Sequence, residues 1–127
     1  MGHDAGGPTA VNFALKHPDR TAAVTLMNAF YGDAPGLRVP ELIELFSERS
    51  IGISWQARRN TARLIEFRRS DVPLLLIWGK ADPYLHVTVA DYMRSQARNA
   101  ALHVLDAGHW PQIDAAAEVA RIMLARH

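Results

Sequence analysis

The sequence predicts an α/β fold: about three parallel strands with flanking helices and a short helical insertion. Three observations carry that expectation. Apolar runs of strand length at 22–27, 72–78 and 101–105 are interleaved with segments whose apolar residues fall at helical spacing. The last third reads strand, helix, strand, helix, which implies right-handed crossovers and a sheet covered by helices. The stretch 29–70 shows no strand pattern and opens on turn residues, as an insertion would.

In chain order, Gly2, Gly6, Gly7 and Pro8 crowd the start. Pro8 suits the first turn of a helix, where its missing N–H costs nothing. Val11, Ala14 and Leu15 follow at helical spacing, and Pro18-Asp19 ends the helix. The run 22–27, ending at Asn28, reads as a buried strand. Next, Tyr31-Gly32-Asp33-Ala34-Pro35-Gly36 is a loop, 40–48 a short amphipathic helix and 55–69 an Arg-rich one. Segment 72–78 is a β-rich strand closed by Gly79, 87–97 a helix, 101–105 a strand and 113–124 a closing helix. The parts are thus 1–28 and 71–127 as core and 29–70 as insertion, in one domain.

Composition narrows the functional classes. The chain has 127 residues, 14 Lys+Arg, 13 Asp+Glu, a net charge of +1 and no Cys. That length suits one domain. The near-neutral balance argues against a nucleic-acid binder. No apolar run nears the ~20 residues of a membrane span. Met1-Gly2-His3-Asp4 lacks the basic and apolar regions of a signal peptide. A soluble cytoplasmic protein is the expectation. His3, His17, His86, His103 and His127 show no metal-ligand spacing. His3 reads as buried and the others as surface.

Three segments carry chemistry. Gly2-His3-Asp4-Ala5-Gly6-Gly7 fits a nucleophile elbow, in which a sharp strand-to-helix turn exposes the central side chain, here Asp4. Ile77-Trp78-Gly79-Lys80-Ala81-Asp82-Pro83 puts a carboxylate just past a predicted buried strand, where open parallel sheets place site residues. Asp106-Ala107-Gly108-His109-Trp110-Pro111 puts a histidine after the next strand. Each alone is an ordinary turn. Together they run nucleophile, acid, histidine.

On these motifs the chain resembles the C-terminal portion of an α/β-hydrolase. Its elbow is similar to that of the epoxide hydrolase and haloalkane dehalogenase branch. The resemblance implies Asp4 as nucleophile, Asp82 as acid, His109 as base and the Ala5 N–H as an oxyanion donor, acting on a small molecule without cofactor or metal. A carboxylate attacking an sp³ carbon forms an alkyl ester, which suits a carbon–halogen bond or an epoxide. Histidine-activated water then hydrolyses that ester. Asp33 is an alternative acid, since some relatives take theirs from that region.

The branch often has Trp after the nucleophile, where this chain has Ala5. Epoxide opening usually draws on paired cap tyrosines, and the insertion holds one, Tyr31. Tyr31, Trp55 and Trp110 are the candidates for lining a substrate pocket; Tyr84 and Tyr92 read as structural. Trp78 reads as core. Arg58, Arg59, Arg63, Arg68 and Arg69 read as a solvated face, with Glu66 pairing one of them. The resemblance begins at the elbow, so the expectation is a truncated, inactive hydrolase. The strand ending at Asn28 would carry a bare edge, open to self-association or to an N-terminal half, and the elbow would lack rigid support. The alternative is a non-catalytic remnant.

Overall fold

The computed structural model describes residues 1–32 and 59–125. The expected helix at 40–48 and the residues Asp33, Trp55, Arg58 and His127 lie outside the described residues.

The described chain is an α/β structure built on a four-stranded parallel sheet in the order β1-β2-β3-β4. β1 is Gly2–His3, β2 Val24–Met27, β3 Leu74–Gly79 and β4 Ala100–Leu105. The helices are α1 (Gly6–Lys16), α2 (Leu64–Arg69), α3 (Val87–Gln96), α4 (Pro111–Asp114) and α5 (Ala116–Leu124). A short 3₁₀ turn, Pro18–Arg20, closes α1, where Pro18 cannot continue its hydrogen bonding.

β3 shows how the layers form. All six of its residues are buried. Leu74 and Leu76 pack on one face with Val11 and Ala14 of α1, Leu64 and Phe67 of α2 and Met93 of α3. Leu75 and Ile77 point the other way, toward Val119 and Ile122 of α5. Successive side chains on a strand face opposite ways. A strand covered on both faces therefore reads as a continuous apolar run, as this one does. Trp78 is fully buried, as expected, and its indole N–H donates to the Leu85 carbonyl at 2.7 Å.

The sheet has four parallel strands where about three were expected, which agrees with the expected fold. Three other expectations change. Gly2 and His3 pair with Leu26 and Met27, so the C-terminal half of β2 is covered, not bare. The elbow is also held: Asp4 N–H donates to the Met27 carbonyl at 3.3 Å and Gly7 N–H to the Asp4 carbonyl at 2.9 Å. The closing helix is two helices, broken at Ala115.

The described end of the insertion packs into the core through Leu64 and Phe67. Arg63 pairs with Glu66 and also donates to the Asn12 side chain of α1 at 2.7 Å, so it is not simply solvated. Tyr31, expected at a pocket wall, lies in this layer instead. It is fully buried, stacks near Phe67 and donates its hydroxyl to Asn12. Burial pushes its pKa up, against the nearby Arg63 charge. No helix of the described residues is long and apolar enough to cross a membrane.

Candidate active site

In a parallel sheet all C-terminal strand ends lie along one edge. The residues that follow them therefore meet. Asp4 follows β1, Asn28 follows β2, Asp82 lies just beyond β3 and His109 lies beyond β4. Asp4 and Asn28 both have positive φ, +46° and +39°. Such angles are uncommon for non-glycine residues and mark backbone held in place by its surroundings.

The elbow needs small residues for specific reasons. A Cβ on Gly2 would lie 2.6 Å from the Gly6 carbonyl oxygen, and one on Gly7 would lie 2.6 Å from the Ala29 Cβ. Nothing lies within 4 Å of where a Cβ on Gly6 would sit. Close helix–strand packing therefore rests on Gly2 and Gly7, while the second glycine of the G-x-Asp-x-G pattern is unconstrained. Asp4 stays half exposed above the first turn of α1. No acceptor among the described residues takes the N–H of Ala5, the N-cap residue of α1 that follows Asp4.

Asp82 is the best-bound group of the site. Its Oδ1 accepts the Tyr84 N–H at 2.7 Å and the Leu85 N–H at 3.0 Å. Its Oδ2 accepts from the Asn28 amide and from His109 Nδ1, the latter at 2.7 Å. Burial alone would raise the carboxyl pKa. The hydrogen bonds from Leu85, His109, Asn28 and Tyr84 outweigh burial and hold it below the ordinary value, so the group is a carboxylate at neutral pH. Asn28 is fully buried, and its Oδ1 accepts the Gly79 N–H at 3.0 Å, which orients its amide N–H toward Asp82.

His109 is mostly buried. Its Nε2 lies 3.9 Å from Asp4 Oδ1. A carboxylate can only accept, so Nδ1 carries the proton in the bond to Asp82. In the neutral ring Nε2 then presents its lone pair toward the space beside Asp4. The histidine loop lies tight against β3: a Cβ on Gly79 would come within 1.8 Å of the Gly108 carbonyl oxygen. Gly108 N–H donates to the Asp114 carboxylate at 2.9 Å.

The structure thus brings Asp4, Asp82 and His109 together and leaves Ala5 beside them. Trp110, half exposed, flanks His109 with ring centroids 5.4 Å apart. Tyr31 is turned into the core. Sequence reasoning missed Tyr84, whose partly exposed ring meets His109 edge-on at 5.3 Å. It also missed Asn28 as an Asp82 partner. His3 is half-buried rather than buried, and its Nε2 donates to the His109 carbonyl at 2.9 Å. The one available signal was position: Asn28 and His3 each border a strand end where the other site residues sit. Among the described residues no group of three or more acidic or histidine side chains could hold a metal ion.

No family model matches the chain, and no curated protein matches it in sequence. Solved structures match it in fold. One is an α/β-hydrolase enzyme from the metagenome of lagoon sediments at Mar Chica, Morocco. It is 18% identical with a TM-score of 0.74, over 98% of this chain and 57% of that one. Another is 2-hydroxy-6-oxo-6-phenylhexa-2,4-dienoate hydrolase from Rhodococcus sp. strain RHA1, 17% identical with a TM-score of 0.75, over 98% and 61%. A third is a meta-cleavage product hydrolase from Pseudomonas fluorescens IP01, 19% identical with a TM-score of 0.71, over 98% and 62%. The fold is thus part of an α/β-hydrolase fold, and the chain spans about three fifths of the length of these structures.

Proposed function

We propose that the chain carries the catalytic residues of a hydrolase with an aspartate nucleophile. Asp4 would attack an sp³ carbon of a small organic substrate, displacing halide or opening an epoxide, to leave an alkyl ester on its carboxylate. His109 would take a proton from water at Nε2, and that water would hydrolyse the ester. Asp82 would hold the ring tautomer and stabilise the imidazolium without taking the proton. The Ala5 N–H would stabilise the oxyanion of the second step. The observation that supports this reading is the line Asp4, His109, Asp82, with separations of 3.9 and 2.7 Å at the two imidazole nitrogens.

The test is an ester trap. His109→Gln removes the base of the second step, so an ester formed on Asp4 persists. The chain carrying this substitution, incubated with a panel of epoxides and haloalkanes, is expected to gain the substrate mass on the peptide containing Asp4. A further Asp4→Asn substitution should abolish it. No adduct with any member of the panel overturns the reading. Little multiple turnover is expected from the 127 residues, because among the described residues the two-residue β1 that leads into the elbow pairs with a single strand.

A groove favours a second reading. A hollow of about 970 Å³ is lined by Met1, Gly6, Phe13, Val24, Leu75 and Met123 among others, and by none of Asp4, Asp82 and His109. It borders Val24 and Thr25, which β1 leaves uncovered. On this reading the chain is non-catalytic and acts by association, with itself or with a chain supplying further strands.

A further inference from the structure

We propose that His3 is a positioning residue: it latches the histidine loop to the elbow and so sets the gap between His109 Nε2 and Asp4. The kinetic part of this proposal rests on the function proposed above; the positional part stands on geometry.

β1 and β4 are separated in the sheet by β2 and β3. Among the described residues no backbone hydrogen bond joins residues 1–5 to 106–110. His3 makes that connection with a side chain, across 106 positions of sequence, through Nε2 and the His109 carbonyl at 2.9 Å. A carbonyl oxygen only accepts, so His3 Nε2 must carry a proton. The His3 ring also lies 4.5 Å from the Trp110 ring at an interplanar angle of 33°, and 5.0 Å from the His109 ring. One side chain thus holds the main chain at His109 and packs on the residue that follows.

The other ties of this loop fix different atoms. Ala81 N–H holds the Ala107 carbonyl at 3.0 Å, and Asp114 holds the Gly108 N–H. Asp82 holds Nδ1 of the His109 ring. The direction of Nε2 follows from two pins, Asp82 on the ring and His3 on the main chain. Because His3 immediately precedes Asp4, the second pin refers His109 to the nucleophile itself. Misplacement by about 1 Å can cost a hundredfold in rate. Ester hydrolysis, which needs Nε2, would feel the loss of the latch; ester formation, which needs Asp4, would feel it less.

The test separates donor from ring. His3→Phe keeps an aromatic ring and removes the donor, whereas His3→Gln keeps an amide donor and removes the ring. Nitrogen-15 NMR of histidine-labelled full chain should show wild-type His3 protonated at Nε2, with slow exchange of that proton. In His3→Phe the His109 imidazole signals should shift or broaden, and His3→Gln should move them back. If Asp4 esters form, His3→Phe should slow their hydrolysis about tenfold to a hundredfold and their formation less than about threefold. An unprotonated His3 Nε2, or His109 signals identical in wild type and His3→Phe, overturns the latch. Should His3→Phe not fold, the wild-type tautomer and the His109 signals of His3→Gln decide instead. Absence of an Asp4 ester in the trap refutes the proposed function and leaves these NMR outcomes to decide the latch.

Discussion

Asp82 is pulled two ways: burial favours the neutral acid, while four hydrogen bonds favour the carboxylate and prevail. Its folded pKa is depressed. Its contribution to stability is therefore complete above the ordinary value of about 3.8 and is lost as pH falls through the folded value. Acid titration of the fold by circular dichroism should show a loss of stability beginning below about pH 4, and Asp82→Asn should flatten that part of the curve. A variant as acid-sensitive as wild type would show that Asp82 is not the linked group. The same substitution should disable His109. With its carbonyl accepting from Tyr84 and Leu85, the introduced amide turns its NH₂ toward two donors, Asn28 and His109 Nδ1. The ring must then offer a lone pair at Nδ1 and carry its proton at Nε2, where the base is needed. Hydrolysis of an Asp4 ester should fall by roughly 10⁴-fold, as when a triad acid is neutralised. Asp82 and His109 were legible in sequence because each follows an apolar strand. Asn28 and His3 were not, because their roles depend on which strand lies next to which.

Glycines join the elements of this fold, and their roles differ within a few residues. Gly79→Ala would drive a Cβ into the Gly108 and Ala107 carbonyl oxygens, at 1.8 and 2.6 Å, both backbone atoms that cannot step aside. It should cost at least about 3 kcal/mol, as overpacking at a rigid site does, or prevent folding. Gly6→Ala meets nothing within 4 Å and sits in the first turn of α1. It should raise stability by about 0.5–1 kcal/mol through the better helix propensity of alanine. Denaturant midpoints of the two variants should move in opposite directions; a destabilised Gly6→Ala would refute the claim that this motif glycine is free. Gly6 is the second glycine of the G-x-Asp-x-G pattern, whose spacing cannot tell which glycine the packing uses. β1 escaped the sequence reading for a related reason: two residues are too few to show alternation. The break at Ala115 was likewise hidden, since the run 113–124 keeps helical spacing through it. β2, β3, β4, α1 and α3 were legible because each has a mostly apolar run or an apolar helical spacing with Gly, Pro or Asn close by.

At the scale of the whole molecule, the hollow beside α1 is lined by none of Asp4, Asp82 and His109, and this separation decides how the chain should behave in solution. The hollow runs beside α1 and the start of β2, where Val24 and Thr25 extend beyond the two-residue β1. Phe13, about half exposed, and Met1, more so, project there. Arg20 is the one charged residue among its described lining residues. An apolar surface next to unpaired strand backbone invites another chain. β4, the opposite edge, has exposed His103 and Val104, and none of its residues lines this hollow. Association should therefore run through the β1–α1 side. Sedimentation velocity over a hundredfold range of concentration should show the wild-type chain growing in mass. Phe13→Glu should hold it monomeric, because a carboxylate at that position must stay solvated and cannot be covered. Val104→Glu, on the other edge, should leave the association intact. Since neither substitution touches Asp4, Asp82 or His109, the ester trap run on the Phe13→Glu chain distinguishes the two readings. An ester on Asp4 in that monomer would show that the nucleophile does not depend on association. A monomeric wild type at every concentration would remove self-association from the second reading.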